Sequence, residues 1–352
     1  MDNLAGARRI SATLGPVPVD WGQLRRLAGQ QYDLLTRWQC LEAGLSEGTL
    51  RWRIDSGRWV RRLPGVFLTK PGRADWGVSA MSALLWAQGP EIAASAAFRG
   101  RSAAYLWGLE RNPPEVVELV VSYARTIAPP EGVRIRRSMR WDGLVDDLAY
   151  PWRTTVAATV IELAGLGSAL DALSQVARAV QHELVNTAQL RQEIVARGGH
   201  RHSKLLLAAL SDVDGGGQSG AELLYIRDVE GAHGLPRAAR QAPSDVGRRR
   251  HHDNEYEAYH LIVEVDGRLG HELWSDRVRD GRRDRQLLSE KRVTTRVFFA
   301  DVAVTPCQTA MDIGAILTSR GWQGTLRRCR RGSCPVAARR RPASAGPTPG
   351  SL

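Results

Sequence analysis

The sequence predicts a mixed α/β chain built from more than one domain, and three observations carry that prediction. Near the N-terminus, two short helix signals meet at Gly44 and run into a strand, turn and strand pattern that ends at Leu68. From Ala74 to Ala209 an Ala-rich segment with helical spacing is interrupted by β-branched runs. Towards the C-terminus the apolar run Leu261 to Val265 carries an acid where a buried strand rarely has one, and an Arg- and Asp-rich helical pattern follows. At 352 residues the chain has room for roughly two or three domains, each able to bury a core.

Residues 1–30 open with a Gly-, Pro- and Ser-containing lead that predicts no regular structure. The segment 31–70 is sharper. Thr36 can cap a helix running to Ala43, Gly44 supplies the turn, and Ser46 with Glu47 opens a second helix to about Ser56. Gly57 to Leu68 reads as two short strands turning at Pro64-Gly65. Arg51 and Arg53 lie on the second helix, and Arg58, Arg61 and Arg62 on the hairpin. This wording, over about Gln31 to Thr69, resembles the winged helix-turn-helix N-terminal domain of the abortive-infection type IV antitoxins. The resemblance implies DNA binding, with the Ser46 to Ser56 helix in the major groove and the hairpin on the backbone, and a partner protein such as a cognate toxin. A small interaction domain whose arginines form a solvated face is the competing account.

The connecting region 74–211 predicts helices over Ser95 to Trp107 and Thr154 to Leu166, with strands at Val116 to Ser122 and Val133 to Arg137. It holds no catalytic constellation, and its expected role is to connect, to shape, or to hold a partner. Trp107, Trp141 and Trp152 are expected to pack, and His182, His200 and His202 to lie on the surface. A Gly-rich linker, 212–218, comes next. It is not followed by Gly-Lys-Ser/Thr, so it does not make a phosphate loop.

Residues 219–320 concentrate the chemistry. Ser219 and Glu222 form a capping box for a helix running to Glu230. On the strand Leu261 to Val265, closed by Asp266-Gly267, Glu264 and Asp266 share a face. If the preceding segment pairs as a hairpin turning near Ala258, Asp253 falls opposite Glu264. Converging carboxylates raise one another's pKa, and a hard divalent ion with oxygen ligands relieves that cost. Asp253, the Glu264 to Gly267 run, His271, a helix with Asp280 and Arg283-Asp284, and the strand Thr295 to Phe299 resemble the very-short-patch-repair-like branch of the restriction-endonuclease-like superfamily. The resemblance spans about Ser219 to Cys307 and implies a mixed sheet flanked by helices.

It further implies Mg²⁺ or Mn²⁺ held by Asp253, Glu264 and Glu222, with Asp266 completing the shell. His271 and Arg283 would assist at the phosphate, and Arg279 would face it. One departure is visible: Asp266 occupies the position of the superfamily's Lys. Two plain alternatives stand beside this reading. The three acids could be paired with Arg249, Arg250 or Arg282, and Asp276, Asp280 and Asp284 have the i, i+4, i+8 spacing of a salt-bridged surface helix.

Charge supports a polyanionic partner: 49 Lys+Arg against 37 Asp+Glu give +12. Part of this excess sits in the Arg-rich segment 321–352, expected to be a disordered basic tail. Cys40, Cys307, Cys329 and Cys334 are scattered and predict reduced thiols, neither a disulfide scaffold nor a zinc quartet. No run approaches the ~20 apolar residues that a membrane helix needs, so a soluble, cytoplasmic protein is expected. Two functions remain in view: a DNA-binding protein with a metal-dependent endonuclease domain, or a non-catalytic antitoxin-like regulator whose nuclease fold is degenerate.

Overall fold

The computed structural model describes residues 18–90, 95–214, 220–243, 251–266 and 292–337. The chain divides into two compact units, Met1–Thr155 and Val156–Leu352. The boundary therefore falls inside the connecting region, whose first half belongs to the N-terminal unit.

In that first unit, helix α1 (Trp21–Gln30) is capped by Asp20, which accepts a hydrogen bond from the Gln23 amide. A helix here departs from the irregular lead expected up to residue 30. Trp21, Leu24, Leu27 and Ala28 recur at i, i+3, i+6 and i+7 and all face one core, so the amphipathic stripe of this helix was present in the sequence. Strand β1 (Leu34–Thr36) leads into α2 (Arg37–Glu42), where Thr36 and Gln39 form a reciprocal capping box. Ser46 caps α3 (Glu47–Asp55), and Gly44 between the two helices sits at φ +85. Strands β2 (Val60–Leu63) and β3 (Val66–Leu68) then turn at Pro64-Gly65, with Gly65 at φ +73, which a side chain would resist.

The three strands form a sheet in the order β1-β3-β2, and both of its faces are covered. Leu34, Val66 and Leu68 enter a core with Val78, Met81 and Leu84 of α4 (Trp76–Gln88), while Leu35 and Phe67 enter a second core with Leu24, Cys40, Leu50 and Trp59. Strand alternation explains the split, because neighbouring side chains point to opposite faces. Burial pushes the Cys40 thiol up to about 12, so it is an inert packing group.

Beyond α4 come β4 (Ala96–Phe98), α5 (Gly100–Leu106), β5 (Val117–Ser122), β6 (Val133–Ser138), β7 (Val145–Asp146) and β8 (Arg153–Thr154). They form a five-stranded sheet ordered β6-β5-β4-β8-β7. The helix expected over Ser95 to Trp107 is thus a strand followed by a shorter helix. Ala96 and Ala97 are fully buried in the middle of the sheet, where packing overrides alanine's helical preference. Trp107 packs on the core shared with α4 and donates from Nε1 to the Thr154 carbonyl at 2.8 Å.

The second unit opens with four helices, α6 (Val156–Ala164), α7 (Ala169–Gln181), α8 (Thr187–Arg197) and α9 (Ser203–Asp214). Ser168 and Asn186 cap α7 and α8 through reciprocal boxes. His200, expected on the surface, is half-buried. Its Nε2 lies 2.8 Å from the Ile161 carbonyl, and its Nδ1 accepts from the His202 amide at 3.1 Å.

Helix α10 (Gly220–Leu224) runs on into a π-helical turn (Tyr225–Gly231). A four-stranded sheet is then made by β9 (Ala239–Pro243), β10 (His251–Tyr256), β11 (Leu261–Asp266) and β12 (Val293–Phe298), in the order β12-β11-β10-β9. The first three strands form an antiparallel meander, and β12 joins β11 in parallel. Helices α11 (Phe299–Ala303) and α12 (Pro306–Ser319) follow.

Residues 321–337, expected to be part of a disordered tail, fold back as a strap. Trp322, Cys334 and Val336 are buried, and the Arg327 amide donates to the His233 carbonyl at 2.9 Å. The remainder of the basic tail, 338–352, lies outside the described residues.

Candidate functional site

The first candidate surface is made by α3 and the β2–β3 hairpin. Arg51, Arg58, Arg61 and Arg62 are all exposed. The β2–β3 register shifts between Arg61 and Leu63, a bulge that falls on Arg62. Strict alternation would turn adjacent side chains to opposite faces, and a bulge relaxes that rule. Two large apolar groups share the region: Trp52, 52% exposed beneath the Arg58 guanidinium at 4.9 Å, and Trp38, 51% exposed. Between Arg37 and Leu68 there are six arginines and three acids, and one of those acids, Glu47, pairs with Arg37.

Arg53 does not belong to this surface. Its guanidinium carbon stands 4.3 Å from the Trp21 ring centre and 5.2 Å from that of Trp59, and its buried Nε has no hydrogen-bond partner among the described residues. The side chain therefore ties α1 to α3 through stacked aromatic faces. The structure thus sets Arg53 apart from the four exposed arginines with which the sequence grouped it. The signal was available in the spacing. Arg51 and Arg53 are about 200° apart around a helix, and Arg53 flanks the stripe set by Leu50 and Ile54.

The second candidate is the carboxylate strand of the second unit. Strands β10 and β11 pair as Asn254↔Val263, Glu255↔Ile262 and Tyr256↔Leu261, around a 3-10 turn at Glu257–Tyr259. Continued by one position, this register sets Asp253 across from Glu264. Asp266 lies two residues further along β11 and shares the Glu264 face. Glu264 faces Arg296 in the parallel β11–β12 register, with Oε2 3.5 Å from the Arg296 Nε. Glu255, on the same face, is paired with Arg292 at 3.5 Å. Glu222 stands in the first turn of α10, which packs against β11. His271, Arg279, Asp280, Arg283 and Asp284 lie outside the described residues.

Behind that sheet lies a buried polar network. Glu230, 4% exposed, accepts from Arg240 Nη2 at 2.6 Å, from the Ala238 amide at 3.1 Å and from the Tyr256 hydroxyl at 3.3 Å. The Tyr225 and Tyr256 hydroxyls are 2.9 Å apart, and burial raises both phenol pKa values. Arg240 also donates to Asn254, whose amide donates to the Val263 carbonyl at 3.2 Å. Every member is partnered, which fixes β9, β10 and the π-helical turn against one another and so sets the plane of the carboxylate face.

A fourth grouping was not foreseen. His233, Cys307, Cys329 and Cys334 converge, with one ligand atom from each lying within 4.8 Å of all the others. This overturns the reading of the cysteines as scattered thiols. The sequence carries one trace of it, the Cys329-x4-Cys334 spacing. His233 lies 101 residues before Cys334 and is brought to it only by the fold.

No family model matches the chain, and no curated protein matches it. Among solved structures, the crystal structure of the RV2827C protein from Mycobacterium tuberculosis aligns over 56% of this chain and 77% of that chain, at 19% sequence identity and a TM-score of 0.35.

Proposed function

We propose that this is a DNA-binding protein whose first unit presents a winged helix-turn-helix and whose second unit carries a restriction-endonuclease-like domain directed at phosphodiester hydrolysis. The observation that carries the DNA-binding half is the cluster of Arg51, Arg58, Arg61 and Arg62, all exposed on α3 and the bulged hairpin. The order helix, strand, helix, helix, strand, strand with the sheet β1-β3-β2 supports the winged reading. In this account α3 enters the major groove and the hairpin arginines meet phosphates.

The hydrolytic half rests on the hairpin register that sets Asp253 across from Glu264, with Asp266 on the same face. A helix, an antiparallel meander and a parallel fourth strand agree with the mixed sheet that the family resemblance implies. The donors fit a hard cation: Asp253 and Glu264 would hold Mg²⁺ or Mn²⁺, with Glu222 and Asp266 as further oxygens. When bound, such an ion polarises a phosphoryl oxygen and lowers the pKa of a water.

A second reading is favoured by one contact. Arg296 already stands at Glu264, and Asp266 occupies the position where the superfamily places its cationic Lys, as a regulator with a degenerate nuclease fold would have it. A nicking assay on supercoiled plasmid with Mg²⁺ or Mn²⁺ separates the two readings. Cleavage by the wild-type chain, lost in folded Asp253→Ala and Glu264→Ala, supports hydrolysis. If none of the three cleaves while the chain binds its own upstream DNA in moderate salt, the regulator is the better account.

A further inference from the structure

The four-residue cluster of the second unit has the composition, spacing and surroundings of a structural metal centre. Its donors come from three places: His233 follows the π-helical turn, Cys307 lies in the first turn of α12, and Cys329 and Cys334 belong to the strap. All four cysteines of the chain are free. The Sγ atoms of Cys307 and Cys329 are 3.6 Å apart, and Cys334 Sγ is 3.7 Å from His233 Nε2. A tetrahedral ion with metal–sulfur bonds of about 2.3 Å and a metal–nitrogen bond of about 2.0 Å requires S···S and S···N separations of about 3.8 and 3.5 Å.

Two further contacts are those that such a centre needs. His233 Nδ1 is 3.2 Å from the Val229 carbonyl, so Nδ1 carries the proton and Nε2 is left with its lone pair towards the thiols. The Arg331 amide donates to Cys329 Sγ at 3.4 Å, a bond that favours a thiolate. His233, Cys307 and Cys334 are buried, and Leu326 and Val336 pack around the sulfurs. Three thiolates and a neutral imidazole would leave a divalent ion with a net charge of about −1. The strap supplies compensating charge in Arg327, Arg328, Arg330 and Arg331.

We propose that His233, Cys307, Cys329 and Cys334 bind one structural Zn²⁺, which fastens the strap to the helix behind the carboxylate sheet. Soft sulfur donors select zinc over the hard ion considered for Asp253 and Glu264, so the two sites are chemically separate. A closed set of four protein ligands leaves no open position, and the role is architectural.

The test uses the full-length chain, purified without chelators and analysed for metal by mass spectrometry. About one zinc per chain is expected. Reconstitution of the zinc-depleted protein with Co²⁺ alone should give the d–d bands of tetrahedral cobalt and a sulfur-to-cobalt charge-transfer band. Cys329→Ser changes the half-exposed ligand, and that band should fall by roughly a third as one of three thiolates is removed. Should this variant fail to fold, the wild-type metal content and cobalt spectrum still decide. Three outcomes overturn the proposal: wild-type protein without stoichiometric zinc and without a tetrahedral cobalt spectrum, a Cys307–Cys329 disulfide in freshly purified protein, or metal content unchanged in folded Cys329→Ser, Cys334→Ser and His233→Ala.

Discussion

The contrast between Arg53 and the arginines of the hairpin gives a quantitative test of the DNA-binding face. Each phosphate that a side chain neutralises adds about 0.9 to the steepness of log K against log salt. The pair Arg61→Ala and Arg62→Ala should therefore flatten the slope by about 1.8. Between 50 and 200 mM salt, that change corresponds to roughly tenfold less loss of affinity on going to high salt. Arg53→Ala should leave the slope unchanged. Its cost falls on folding instead, because the guanidinium stacked between Trp21 and Trp59 contributes about 0.5–2 kcal/mol, to which the packing of its stem adds. Fluorescence anisotropy over a salt series, paired with urea denaturation, measures both quantities on the same proteins. A chain shortened to residue 337 removes the contribution of Arg339, Arg340 and Arg341. A slope lowered by Arg53→Ala at unchanged stability, or unaltered by the double substitution, would refute the assignment.

Two other expectations concern the second unit. Glu230→Ala removes the buried acceptor of Arg240, the Tyr256 hydroxyl and the Ala238 amide, so denaturant unfolding should show a loss of about 1–3 kcal/mol. A neutral result would refute a stabilising role for this network. His200 is held below its ordinary value of 6.5, first by burial and then by the neighbouring Arg197 and His202 charges, against the opposing pull of the Ile161 carbonyl. The folded state thus prefers the neutral ring. This contribution to stability is full above pH 6.5 and declines as pH falls from there towards the lower folded value. Thermal melts from pH 7.5 to 5 should show a decline that is reduced in His200→Gln, and parallel curves for the two proteins would dismiss the idea.

The contacts behind these expectations differ in how plainly the sequence announces them. Thr36, Ser46, Gly44 and Pro64-Gly65 act within a few residues of themselves, and the caps and turn they predict are present. The hairpin turning near Ala258 was legible for the same reason, since it acts between neighbouring strands. Long-range terms decided the rest. Ala96 and Ala97 form a strand because β5 and β8 lie on either side of them. Arg53 turns inward because Trp21, 32 residues earlier on α1, is brought beside it by the fold. The Cys/His cluster depends on a closure across 101 residues that no local spacing encodes. The π-helical turn likewise has no signal in the run Tyr225 to Gly231.

The strap also sets an order of events during synthesis. Arg327 donates from Nε to the Ala232 carbonyl at 3.3 Å and from its guanidinium to the Gly231 carbonyl, satisfying acceptors at the end of the helix that begins at Gly220. These partners are 95 and 96 residues apart. While the sheet strands are being translated, that helix end lacks this cap. The strap is thus made long after the helix end that it caps, and a chain interrupted before Arg327 lacks the donor for the Gly231 and Ala232 carbonyls.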